Sequence, residues 1–153
     1  MNHADTAAEL FLQGYNCAQA VLTAFGDLTG LSPAFSQKLA SSFGGGMGRM
    51  REVCGAVSGM LMVAGILYGY TAEGGADDKK AHYALVQELA GRFREQAGSI
   101  VCREILNNPS AAPTPSARTA EYYATRPCTR MVYLAASILD EYIREQSTDT
   151  DHS

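Results

Sequence analysis

Cys17, Cys54, Cys102 and Cys128 are the residues of this 153-residue chain whose chemistry goes furthest beyond packing. They lie 37, 48 and 26 residues apart with no C-x-x-C pair, which removes the usual signature of a zinc ribbon or a thioredoxin-type site. The reactive form of cysteine is the thiolate, and helix N-termini and neighbouring cations favour it. Cys128 follows Arg126 and Pro127 and precedes Arg130, at the expected start of the last helix. Cys54 opens an uncharged apolar run with Arg49 and Arg51 upstream, and Cys102 is followed by Arg103. Cys17 lies seven residues after Leu10 and four before Val21, a spacing that puts it on the core face of a helix.

The stretch "FGGGMGRMREVCGAVSG", residues 43–59, adds a second source of positive potential. Gly44, Gly45, Gly46 and Gly48 can take positive φ and turn successive N–H groups into one concavity, a nest that stabilises an anion. Arg49 and Gly55 complete the anion-stabilising set expected around Cys54. The segment "GGGMGR" fits neither G-x-G-x-x-G nor G-x-x-x-x-G-K-[ST], and no strand precedes it, so it is not read as a phosphate cradle. His82 reads as a structural histidine. Met47, Met50, Met60 and Met62 read as gap fillers, and Tyr122 and Tyr123 as packing for the last helix.

The elements that must position these residues are helical. Apolar residues from Ala7 to Phe25 keep helical spacing, predicting one helix over residues 4–25. Ser32 and Pro33 start a second, running to about residue 43. Residues 53–70 form an apolar helix whose glycines at 55 and 59, and at 65 and 69, invite close neighbours. Asp77 and Asp78 suit the start of a long helix with Ala81, Leu85, Leu89 and Phe93 on one face, broken near Gly98. The Pro-rich residues 107–117 form a loop, followed by a short helical piece and a last helix over residues 127–144. No strand alternation occurs. The expectation is an all-α single domain over residues 1–146, a bundle of five to seven helices around a buried Gly-rich central helix, with a disordered tail at 147–153.

"GYNCAQAV", "GGGMGRMREVCGAVSG", "VCREIL" and "RPCTRMVYLAASILDE" together resemble the four cysteine-bearing segments of the C_GCAxxG_C_C family of redox-active bacterial and archaeal proteins. The resemblance covers residues 14–143, centres on Cys54-Gly55-Ala56-x-x-Gly59, and implies a redox or metal role for all four cysteines. The proline-rich insertion before Cys128 departs from the usual pattern.

A net charge of −4 with no basic block excludes a nucleic-acid surface. The first ten residues lack a basic region followed by an apolar core, so the expected compartment is the cytoplasm. Residues 53–72 are uncharged and long enough to span a bilayer, but their glycines, Cys54, Ser58 and Thr71 read as a buried helix, so no membrane span is expected. The leading expectation is a thiol redox protein cycling between dithiol and disulfide. Cys54 is the attacking thiolate, Cys128 the resolving partner, Cys102 a relay and Cys17 the thiol behind them. Its partner is a redox protein or a small-molecule disulfide or oxidant, and a homo-oligomer is compatible with the pattern. The alternative is a metal protein in which the four cysteines hold an iron–sulfur cluster or zinc; no cofactor is fixed by the sequence. A third reading is an interaction module with structural cysteines.

Overall fold

Two asparagines, rather than one continuous apolar stripe, organise the N-terminal region. Asn2 accepts from the Asp5 amide and starts α1 (His3–Leu12). Gly14, at φ +107, then takes a backbone that only glycine adopts cheaply. Asn16 and Gln19 form a reciprocal capping box that opens α2 (Cys17–Ala24). The single helix expected over residues 4–25 is therefore two, and Cys17 is the first residue of the second.

This computed structural model describes residues 2–107 and 110–151; it is 75% helical, with nine helices and no strands among the described residues. The others are α3 (Gly26–Thr29), α4 (Pro33–Ala40), α5 (Gly55–Tyr68), α6 (Gly75–Ala97), α7 (Cys102–Leu106), α8 (Ala120–Thr125) and α9 (Cys128–Asp151). Six have eight or more residues, the bundle expected from the sequence. The Ser32 hydroxyl accepts from the Phe35 amide with Pro33 in the first turn of α4, as expected, and a 3₁₀ turn follows from Ser41 to Phe43. Gly98, at φ +87, ends α6 where the break was expected. The last helix runs to Asp151, well beyond residue 144, so the expected tail is helical as far as it is described. Asn108 and Pro109 of the Pro-rich loop, and His152 and Ser153, lie outside the described residues.

The core sits where α1, α2, α5, α6 and α9 meet, filled by Phe11, Leu22, Phe25, Met60, Leu89, Phe93, Ile138 and Leu139, all nearly solvent-free. α5 is buried here as far as Ala64 along its core face, with Val57, Met60, Val63 and Ala64 covered, whereas its C-terminal end reaches solvent at Ile66. The two glycine pairs of this segment behave differently. A Cβ on Gly59 would lie 2.8 Å from the Ala18 carbonyl oxygen, and one on Gly55 3.1 Å from Cβ of Cys17. Only glycine lets α2 and α5 approach this closely. Gly65, by contrast, faces open space, so the second pair packs no neighbour.

Other expectations divide in the same way. Met60 fills the core as expected, but Met47 and Met50 are exposed, because the glycine loop carries them outward. Ala81 is exposed while Leu85, Leu89 and Phe93 are buried. His82 lies beside Tyr70, and its Nδ1 is buried with no hydrogen-bond partner. His3, to which the sequence assigned no role, joins three elements: Nδ1 lies 2.6 Å from Asp140, Nε2 2.9 Å from Asp27, and the ring stacks on Phe25. Among the described residues no single helix is long and apolar enough to cross a membrane.

Candidate functional site

Each of the four cysteines stands at a helix start. Cys17, Cys102 and Cys128 are the first residues of α2, α7 and α9, and Cys54 is the N-cap of α5. All four line one pocket with a cavity volume of about 60 Å³. The partial positive ends of four helices therefore converge on sulfur.

Three local devices bring them together. Gly55 and Gly59 set the distance between α2 and α5, and so between Cys17 and Cys54. A short antiparallel contact joins Val53 to Val101; within it the Cys54 amide donates to Ile100 at 2.7 Å and the Cys102 amide to Glu52 at 2.6 Å. The glycine loop admits Cys102, since a Cβ on Gly46 would lie 2.7 Å from Cβ of Cys102.

The loop itself is a run of positive φ: Gly45 at 64°, Gly46 at 71°, Met47 at 67°, Gly48 at 58° and Arg49 at 70°, with Arg51 at 62°. Left-handed backbone costs a residue with a side chain roughly 1–2 kcal/mol, and glycine at three of five consecutive positions limits that cost. Of the glycines expected to form a nest, Gly45 and Gly46 line the cysteine pocket, whereas the Gly48 amide is used within the loop. Gly48 and Arg49 donate to the Gly44 carbonyl, Arg51 to Gly45 at 3.2 Å and Glu52 to Gly46 at 2.9 Å, so these amides close the loop on itself. The N–H groups that face the Cys54 sulfur are those of Ala56 and Val57, in its own helix.

Arg51 is the buried cation of the site. It is 2% exposed, its Nε donates to the Ser110 carbonyl at 2.9 Å, and its Nη1 lies 3.8 Å from Sγ of Cys102. Its Nη2 is buried without a hydrogen-bond partner. Arg103, expected to serve Cys102, instead pairs with Glu52 at 2.5 Å. Arg130 is exposed. Arg118 and Tyr122 line the cysteine pocket with Arg126. Arg118 donates to the carbonyls of Phe11 and Tyr15, each at 3.1 Å, and packs over Phe11 and Tyr122. Sequence reasoning missed Arg118 because its partners lie about a hundred residues away.

The thiols differ sharply in acidity. Burial pushes Cys54 up to about 12, outweighing the Ala56 and Val57 amides. Cys102 is also raised, by burial that the Arg51 guanidinium only partly offsets. Cys128 alone is lowered, to about 7, first by a hydrogen bond from the Cys17 thiol and then, against burial, by Arg126, Arg118 and Arg51. The same hydrogen bond holds the Cys17 proton in place and raises its pKa. Cys128 is also the least buried of the four, and all are free thiols. The sequence expectation of Cys54 as the activated thiol thus meets a desolvated environment in which ionisation is opposed.

A tetrahedral metal site needs ligands at roughly 2.0–2.3 Å from one centre. Among the described residues no group of three or more His, Cys, Asp or Glu side chains is disposed to hold an ion.

Fold and site together define a helical protein that collects four thiols, from four helix starts, in one small pocket. Residues 15–142 match the family described as "Putative redox-active protein (C_GCAxxG_C_C)", and the chain belongs to that family. No curated protein matches the chain, and no solved structure does.

Proposed function

We propose that the protein is a thiol–disulfide oxidoreductase in which Cys128 is the attacking thiolate and Cys17 the resolving thiol. The observation that carries this reading is the placement of Cys128, the least buried of the four thiols, in one pocket with Cys17, Arg51, Arg118 and Arg126; this setting lowers its pKa to about 7. Exchange is fastest when the attacking thiol has a pKa near ambient pH, and Cys128 alone among the four meets that condition.

The Cys128 thiolate attacks one sulfur of a substrate disulfide. A Cys128–substrate bond forms, the substrate S–S bond breaks, and one substrate thiolate leaves with the electron pair and takes a proton from water. Cys17 then gives up its proton and attacks Sγ of Cys128, releasing the second substrate thiolate and leaving a Cys17–Cys128 disulfide. Two electrons have passed from protein to substrate, and a dithiol reductant returns them by the reverse exchange. Cys128 thus takes the attacking role that sequence alone assigned to Cys54, and Cys17 the resolving role that it assigned to Cys128.

Replacement of single cysteines tests this assignment. Cys128→Ser is expected to lower turnover of a generic disulfide by 100-fold or more with the helical circular dichroism unchanged, while Cys54→Ser keeps at least a third of the activity. The opposite ranking overturns it.

A further inference from the structure

Beside the cysteine pocket lies a wider cleft, with a cavity volume of about 270 Å³, lined by Arg49, Arg51, Arg118 and Arg126 and by no Asp or Glu. The two cavities share Arg51, Arg118, Arg126 and Tyr122. Such clustering is unexpected in a chain of net charge −4, because like charges brought together repel unless something of opposite sign joins them. Two arginines elsewhere are paired with carboxylates: Arg92 with Glu88 and Glu145, and Arg103 with Glu52. Among the described residues none of the four cleft arginines has a carboxylate partner.

Three of the four are also held in place. Arg118 is fixed by two backbone carbonyls, Arg126 donates to the Ser116 hydroxyl at 3.2 Å, and both guanidinium groups lie within 5 Å of the Tyr122 ring centre, at 4.9 and 4.8 Å. Arg51 brings a buried Nη2 that has no partner. Guanidinium groups arranged in this way match the planar, two-oxygen geometry of carboxylates and related oxyanions. The cleft is just below the roughly 300–1,000 Å³ of drug-sized pockets, which fits a small molecule.

We propose that this cleft binds the anionic groups of the substrate, and that the protein acts on small disulfides bearing two or more negative charges. The proposal rests on the thiol–disulfide reading for the identity of the reacting group, and on the arginines alone for the charge. Field lines from the four guanidinium groups draw the dianion in, and once seated its disulfide lies at the entrance to the pocket that contains Cys128.

Two measurements separate the two claims. In calorimetry, the redox-inert thioether dianion 3,3′-thiodipropionate is expected to bind, with affinity falling as salt rises, and its neutral diamide is expected not to bind. Equal binding of both, or of neither, overturns the anion assignment while disulfide exchange still stands. In kinetics, Arg49→Gln is expected to raise KM for 3,3′-dithiodipropionate fivefold or more, and Arg49→Glu tenfold or more, with kcat little changed and with the neutral 2-hydroxyethyl disulfide within twofold of wild type. Equal losses on both disulfides overturn a charge-recognition role for Arg49. Binding of the thioether together with no reaction of either disulfide overturns the substrate class.

Discussion

Cys128 and Cys17 show how neighbouring thiols acquire different chemistry from one hydrogen bond. The thiolate of one is stabilised by the proton of the other, so the first is pulled down and the second held up. Removing the donor removes the largest contribution. Cys17→Ala is therefore expected to move the pH midpoint for Cys128 thiolate formation upward from about 7 toward the ordinary 9.0, read from absorbance at 240 nm or from the pH dependence of alkylation. An unchanged midpoint means that the arginines, not Cys17, set the acidity. Cations beside Cys128 were legible in the sequence through Arg126, one turn of reasoning from the helix start. Arg118 and the Cys17 thiol were not, because both reach Cys128 only through the tertiary fold. The same limit explains the misplaced emphasis on Cys54. Its upstream arginines and helix start were visible, but the depth at which Gly55 and Gly59 bury it was not.

At the scale of elements, the C-G-A-x-x-G segment is a packing device before it is a chemical one. Gly59→Ala pushes a methyl against the Ala18 carbonyl and Cβ of Val21, at 2.8 and 3.0 Å, and overpacking of this kind costs about 1–3 kcal/mol. Gly65→Ala, in the same helix but facing open space, gains about 0.5–1 kcal/mol from helix propensity and reduced freedom of the unfolded chain. Chemical denaturation of the two variants is expected to give shifts of opposite sign; a neutral Gly59→Ala contradicts the close approach of α2 and α5. Helical periodicity and the Ser32–Pro33 start were readable because they are local. The split between α1 and α2 was readable too, in Gly14 and in the Asn16-x-x-Gln19 capping box, but the continuous apolar spacing masked it. The contact between Val53 and Val101 carries no local signal: one bridging residue on each side gives no alternation, and the pairing partner is 48 positions away.

Taken as a whole, the molecule segregates its charge. A chain with 16 acidic and 12 basic residues places four arginines, none with a carboxylate partner among the described residues, around the mouth of a thiol pocket. The basic character of that face was invisible in the sequence because Arg49, Arg51, Arg118 and Arg126 come from two segments separated by the whole long helix α6. All four thiols, in contrast, were identifiable from sequence as a set, since the family resemblance joined them before any geometry did. The central claim is that Cys128 is the thiol poised to react. Site-resolved alkylation with iodoacetamide from pH 5 to 10, on anaerobically purified protein analysed by peptide mass spectrometry, tests it most directly. The account predicts that Cys128 is labelled first, with a midpoint near pH 7, while Cys54 resists labelling throughout most of the range. Labelling of Cys54 ahead of Cys128, or protection of all four cysteines by stoichiometric iron or zinc, contradicts it.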